Sequence, residues 1–232
     1  LSFDMFLDYP SYTGKADKKI TNNGNATIPE GTQLKWKLLT KSTDTVSFAS
    51  KNSLSYFERD GHKFQFTKQF FETSNYTIQT SNSKLKNYEN LAFSLQVIKD
   101  QSPAIKVEMK QDSTYYESLY FYGQISDDYG IKNLKLFYYP VSSASNIKEL
   151  TLPSNLSTFQ EFTHVFPSNL ELIEDTSYAL YFEVSDNDPF HKNKSTFSSN
   201  SLHYCGMDKY KLSFAIVSQD NFLMNYRIYG PS

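Results

Sequence analysis

With a single cysteine, Cys205, the chain can close no internal disulfide and offers no thiolate set for zinc. That leaves the compartment open, because many bacterial envelope proteins also lack disulfides. No apolar run approaches the roughly 18 residues of a membrane-crossing helix, and Leu212 to Val217 is too short to be one. The chain does not open on a basic segment followed by an apolar core, and its first residue is Leu rather than Met. This is the expectation for a piece of a longer protein whose signal or anchor lies elsewhere. Eight glycines and eight prolines are too few for a collagen-like or low-complexity tract. Charge of one sign is missing too: 23 basic and 25 acidic side chains leave a net charge of −2. Such a surface has no broad field for phosphates, so no nucleic-acid partner is expected.

What the chain has in quantity is aromatic side chains, 16 % of the total, with 18 Tyr and 19 Phe against one Trp. Ser and Thr abound while the helix formers Ala and Arg are scarce, a composition that fits pleated, half-buried surfaces. Strand-like runs recur at Phe3–Tyr9, Gln33–Leu39, Thr45–Ala49, Lys63–Phe70, Tyr76–Thr80 and Leu91–Ile98. In the second run Leu34, Trp36 and Leu38 alternate with Lys35 and Lys37, which gives one core face and one wet face and puts Trp36 inside. Lys99 to Pro103 is a compact break, and Pro103 suits a strand start. A second series follows: Ile105–Met109, Leu119–Ile125, Leu134–Tyr139, Glu149–Leu152, Phe159–Phe166, Tyr178–Val184 and Thr196–His203. The pattern predicts an all-β fold of two tandem immunoglobulin-like β-sandwich domains, 1–102 and 103–204.

An internal repeat supports this division: Glu72 to Ile78 resembles Glu174 to Leu180, a polar turn feeding Tyr76 or Tyr178 and then an alternating strand. It reads as the tyrosine corner of a sandwich, with each hydroxyl bonded back to the preceding turn. The segment 205–232 fits neither copy. Leu212, Phe214 and Ile216 alternate as a strand would, and Phe222 to Tyr229 suits a strand or a helix.

Two stretches carry a family resemblance. One joins Tyr9-Pro10-Ser11-Tyr12-Thr13-Gly14-Lys15 to Ile28-Pro29-Glu30-Gly31-Thr32-Gln33-Leu34-Lys35-Trp36; the other joins Gly123-Gln124-Ile125-Ser126-Asp127-Asp128-Tyr129-Gly130-Ile131 to Glu183-Val184-Ser185-Asp186-Asn187-Asp188. Together, over roughly residues 6–200, the chain resembles the extracytoplasmic region of domain-of-unknown-function family 4175, large membrane-anchored bacterial proteins frequent in the Bacteroidetes. The resemblance implies two immunoglobulin-like domains between N-terminal membrane helices and a long helical region, and it brings no catalytic residue. The chain departs from the family pattern at Pro189-Phe190-His191-Lys192-Asn193-Lys194, where a Gly-containing turn is usual, and in the segment 205–232, which lacks the charged helical look of the family's continuation.

The histidines His62, His164, His191 and His203 show no ligand spacing, His164 is expected half-exposed on its strand, and Cys205 has no base nearby in sequence, so no enzyme is expected. The acidic loops form one constellation. Asp127 and Asp128 fall in the B–C loop, Asp186, Asn187 and Asp188 in the F–G loop at the same pole of a sandwich, and Asp100 in the linker at the domain junction. Oxygen ligands of this kind suit Ca²⁺, the one cofactor to consider, in an arrangement that resembles the calcium junctions of cadherins. Against it, Asp and Asn build turns by bonding backbone amides, and Lys192 and Lys194 are placed to neutralise the cluster. The sequons at Asn25, Asn75, Asn155 and Asn193 matter only in a secreted eukaryotic chain. The expected role is a non-catalytic structural or protein-interaction module of the bacterial envelope, periplasmic or extracellular, with a protein or envelope component as partner. The alternative is a carbohydrate-binding or adhesive module using Tyr115, Tyr116, Tyr120, Tyr122, Tyr138 and Tyr139.

Overall fold

The computed structural model describes residues 2–51, 53–111, 118–173, 175–198, 202–205, 213–217 and 223–227. The chain divides into two compact units, Leu1–Asp100 and Gln101–Ser232. Every element longer than a single turn among the described residues is a strand.

In the first unit these are β1 (Ser2–Asp8), β2 (Lys18–Thr21), β3 (Ala26–Pro29), β4 (Thr32–Leu39), β5 (Thr45–Ser50), β6 (Ser53–Tyr56), β7 (Glu58–Asp60), β8 (Lys63–Phe70), β9 (Ser74–Ser81) and β10 (Glu89–Ile98). They form two five-stranded sheets, in the orders β2-β1-β4-β8-β7 and β3-β10-β9-β5-β6. Neighbours run antiparallel except β3, which lies parallel to β10 with Ala26 opposite Leu95 and Ile28 opposite Val97. Period-two alternation explains the sandwich: on β4, Leu34, Trp36 and Leu38 are buried, whereas Gln33, Lys37 and Leu39 are exposed.

Trp36 is fully buried, as its strand pattern predicts. Its ring lies 5.3 Å from Phe48, 5.5 Å from Tyr76, 5.9 Å from Phe66 and 6.0 Å from Phe70, so it joins both sheets in one aromatic cluster. Its indole N–H donates to the Tyr76 hydroxyl at 3.2 Å, and that hydroxyl donates to the Gly24 carbonyl at 2.8 Å. Burial pushes the Tyr76 phenol up, which keeps the donor proton in place. The tyrosine corner expected here is thus replaced by a longer reach: Tyr76 bonds the loop before β3 instead of its own preceding turn. Gly24 is needed for the approach, because a Cβ there would collide with the Tyr76 hydroxyl and the Phe93 ring. At one end of the unit the buried Glu30 carboxylate meets Lys99 Nζ at 3.0 Å, and the same ammonium reaches Glu72 at 2.6 Å.

The second unit comprises β11 (Ala104–Gln111), β12 (Leu119–Ser126), β13 (Ile131–Pro140), β14 (Lys148–Leu152), β15 (Phe159–Phe166), β16 (Ser177–Asp186), β17 (Ser195–Phe197), β18 (Leu202–Cys205), β19 (Ser213–Val217) and β20 (Leu223–Arg227). One sheet is β11-β12-β15 and the other β14-β13-β16-β17, with β18 also on β16. First, second and fifth strands against fourth, third, sixth and seventh is an immunoglobulin-like, Greek-key order. Phe121 and Phe162 from one sheet pack 5.2 and 5.3 Å from Phe182 of the other. Here the tyrosine corner is present: the Tyr178 hydroxyl accepts the Ile173 N–H at 3.0 Å.

The single strand expected over Thr196–His203 is two. β17 pairs with Glu183–Ser185 and β18 with Ser177–Leu180, so two short strands share one edge of β16. Ser198 Oγ accepts the Phe182 N–H at 3.0 Å and takes a ladder position itself. Beyond it, β19 and β20 form an antiparallel hairpin, which makes 223–227 a strand and places Phe214 and Ile216 in its first arm. Leu212 lies outside the described residues.

Tyr76→Phe leaves a buried indole N–H and a buried carbonyl unpaired and is expected to cost about 1–3 kcal/mol, against about 3–5 kcal/mol for Trp36→Ala. Urea melts of Tyr76→Phe followed by the fluorescence of the sole Trp, or by circular dichroism for Trp36→Ala, check this; an unchanged midpoint for Tyr76→Phe refutes the relay. His164, on the inward side of β15 and 6.5 Å from the Phe182 ring, has a buried Nε2 with no hydrogen-bond partner, and burial holds its pKa below the usual value. Below an unfolded pKa of ~6.5 the unfolded chain binds a proton that the folded one refuses. Stability should therefore be flat above that pH and fall as pH drops from it to the folded pKa. His164→Phe should flatten this limb in melts taken from pH 7.5 to 5.

Candidate functional site

The acidic loops of the second unit converge at one pole. The register sets Ala104, at the start of β11, opposite Ser126, at the end of β12. The loop after β12 therefore lies beside the unit's first strand, as chain direction requires. Ile131 stands opposite Asp186, which brings the loop after β16 to the same end. The two loops are bonded to each other through the Asn187 N–H, which donates to the Gly130 carbonyl at 3.2 Å. Gly130 has φ +150°, and a Cβ there would come 3.0 Å from Asn187 Nδ2 and 3.2 Å from the Leu156 carbonyl. A side chain at Gly130 would push the loops apart.

Within each loop the carboxylates hold backbone. Asp127 Oδ2 accepts the N–H groups of Tyr129 and Gly130 at 3.0 and 2.7 Å. Asp186 Oδ1 accepts the Asp188 N–H at 3.2 Å, and Asp188 Oδ1 accepts the Phe190 N–H at 2.8 Å. These are Asx-type turns, the use of Asp that the sequence favours in loops. Asp186 and Asp188 are fully buried and offer oxygens within 4.8 Å of each other, which demands compensation. On Asp188 Oδ2 it comes from Lys194 Nζ at 3.2 Å and from His191 Nδ1 at 2.6 Å. Burial alone would raise the Asp188 pKa, but His191, the Phe190 N–H and Lys194 together hold it below the usual carboxylate range. Asp128 is exposed by area, yet desolvation first and the Asp127 charge second push it up.

Of the five acids expected as a cluster, Asp127, Asp128, Asp186 and Asp188 lie at this pole, and Asp100, on which the first unit ends, is buried. Lys194 neutralises as expected, whereas Lys192 takes a left-handed φ of 59° in the turn. His191 was the contributor that its spacing concealed: three residues after Asp188, it folds back onto that carboxylate. A Ca²⁺ ion needs six to eight oxygens, and here one oxygen of Asp188 already carries an ammonium.

The tyrosines considered as a platform do not share one face. Tyr138 is buried, Tyr120 and Tyr122 are 41 % and 39 % exposed, and the Tyr122 hydroxyl is bonded to Glu161 at 2.5 Å. Tyr115 and Tyr116 lie outside the described residues, as do the side chains of His203 and Cys205. Exposed His62 belongs to the turn between β7 and β8 of the first unit; in the second, His164 lies on the inner face of β15 and His191 at the acidic pole.

Strand order, buried alternation and loop geometry define a chain of two immunoglobulin-like β-sandwiches in series. It belongs to the family described as Domain of unknown function (DUF4175), which matches residues 1–155. Residues 158–232 match a second, described as Family of unknown function (DUF6314). No curated protein matches the chain. Solved structures similar to it include the chicken CNTN1 FN1-FN3 domains, at 10 % identity over 86 % of this chain and 76 % of that one, TM-score 0.28. The Clostridium thermocellum CbhA fibronectin(III)-like modules show 12 % identity over 80 % and 90 %, TM-score 0.28. The human OSCAR ligand-binding domain shows 9 % over 77 % and 92 %, TM-score 0.26.

Lys194→Gln removes the ammonium from a buried carboxylate and is expected to cost about 2–4 kcal/mol. The wild-type Asp188 contributes above its unfolded pKa of ~3.9, and that share is lost as pH falls through the lower folded value. Melts of wild type in millimolar Ca²⁺ and in chelator should superimpose. An ion at a hundredfold excess over its Kd would add about 2.7 kcal/mol, so a clear rise in Tm with Ca²⁺ would overturn the turn reading.

Proposed function

We propose that the chain is a non-catalytic structural or protein-interaction module of a bacterial envelope protein, lying in the periplasm or outside the cell. The observation that carries this reading is the acidic pole. Loops at the ends of such sandwiches are where function is usually grafted. Here Asp127, Asp186, Asp188, His191 and Lys194 bond one another and the backbone. These groups make the loops rigid instead of presenting a reactive constellation. Two sandwiches in series with stiff loops suit a spacer or a docking body. The resemblance of the quoted motifs to large membrane-anchored proteins of the Bacteroidetes supports the envelope setting. Among the described residues no helix is long and apolar enough to cross a membrane, and the proposal places the anchor in segments other than these.

The test is location. An antibody against this chain should find the native protein in the membrane fraction of its host. Added protease should destroy the epitope on intact cells or once the outer membrane is permeabilised. Protection that persists until the inner membrane is lysed would overturn the proposal.

A further inference from the structure

The two faces of the first sandwich differ in charge. Every strand of the sheet β2-β1-β4-β8-β7 carries at least one charged side chain, among them Lys19, Asp4, Lys35, Lys63 and Glu58. The five strands of the opposite sheet, β3-β10-β9-β5-β6, carry one, Glu89, at the first position of β10. The pairings β5–β6, β5–β9 and β9–β10 lay the outward side chains in rows across the strands. Tyr56, Ser47, Gln79 and Asn90 make one row, in which Ser47 is buried; Leu54, Ala49, Thr77 and Ala92 make the next; Asn75 and Ser94 lie beyond. In that middle row Ala49, Thr77 and Ala92 are small beside the exposed Leu54, and they floor an open trough of about 530 Å³, with Asn25, Asn75 and Ser94 along one flank. Lys51, in the turn joining β5 and β6, adds a single charge at the rim.

We propose that this trough binds a neutral, hydroxyl-rich chain, that is, an uncharged polysaccharide lying across the strands. Soluble proteins commonly carry roughly a quarter to a third charged residues on their surface, so a five-stranded face with one charge calls for a cause. Charged groups are costly to strip of water, whereas hydroxyls and amides are cheaper and can be repaid by hydrogen bonds. A face of Gln, Asn, Ser and Thr therefore suits a ligand that covers it and both donates and accepts. Amide side chains offer donors and an acceptor on one group, which matches adjacent sugar hydroxyls. Without an acid or base on the floor, the trough cannot select a uronic acid or a phosphate. A protein partner is less well matched, because interface centres are rich in aromatics, Met and Arg, and the centre here is Ala49, Thr77 and Ala92. Tyr56, 64 % exposed on the edge strand β6, lies one row from the floor and past Leu54, where a ring can stack on a sugar that extends beyond the trough. From β10 to β6 the strands span three spacings of ~4.8 Å, about 14 Å, room for a short oligosaccharide.

The test is affinity electrophoresis of the full chain in native gels containing hydroxyethylcellulose, dextran or mannan, with alginate as the charged control. At least one neutral gel should retard the wild type, and alginate should not. Ala92→Glu, which adds a charge and bulk to the floor, should weaken retardation at least tenfold, and Tyr122→Ala in the other unit should leave it unchanged. Circular dichroism melts of both variants confirm that they fold; should Ala92→Glu fail to fold, Thr77→Lys takes its place. Absence of retardation in all three neutral gels overturns the proposal, as does equal retardation of wild type and floor variant. A concentration-dependent dimer in sedimentation that Ala92→Glu abolishes would also overturn it and assign the face to a second copy. None of these outcomes bears on whether the protein resides in the envelope, so the two proposals fail separately.

Discussion

The phenol of Tyr76 ties together three parts of the first sandwich that are far apart in sequence. It takes the Trp36 indole proton, gives its own to the Gly24 carbonyl, and stacks 4.7 Å from Phe48. Trp36 belongs to one sheet, Tyr76 and Phe48 to the other, and Gly24 to the loop that leads into β3. A buried aromatic with a polar tip must satisfy that tip. Satisfying both tips with each other fixes the offset of the sheets and the path of the loop in one stroke. The rest of the unit is built around this constraint, from the glycine at 24 to the ring of Phe93 beside it.

Among its described residues the second unit is organised differently. Its sheets meet through apolar aromatics around Phe182, and its polar organisation sits at one pole, where Asp188 gathers an ammonium, an imidazole and a backbone amide. The first unit shows a simpler version of the same device, with buried Glu30 held by Lys99. In both cases one buried acid near a strand end is matched by one lysine. Removing the lysine would leave a charge that the interior cannot hold unaided.

Strong alternation was legible from the sequence. Lys63–Phe70 and Phe159–Phe166 are strands with the bounds their patterns indicate, and Trp36 is buried because Leu34 and Leu38 share its face. The short edge strands β2, β3, β6 and β7 were not legible, since Lys-Lys-Ile-Thr or Glu-Arg-Asp shows no apolar period and is held by a neighbour's ladder. The tyrosine repeat misled at Tyr76, where the partner is 52 residues away, and was informative at Tyr178, where it is five. The grouping of Asp127 with Asp186 followed from loop order alone. The fold of His191 back onto Asp188 did not, because it depends on the turn through Lys192 and Asn193, both at positive φ.

The parallel strand β3 sets the order in which the first unit can be completed during synthesis. Ala26–Pro29 has one ladder partner, β10, with Ala26 opposite Leu95 and Pro29 opposite Ile98. A ribosome adding about 5–20 residues per second delivers that partner roughly 3–14 s after β3 itself. Until then the β1–β4–β8 sheet can assemble, but Ile28 has no strand beside it, and the Glu30 N–H lacks the Ile98 carbonyl it bonds in the finished unit. The next residue out, Lys99, supplies the ammonium for the buried Glu30 carboxylate, one position before the unit ends at Asp100. The ladder of β3 and the charge balance of Glu30 thus wait for the last residues of the first sandwich.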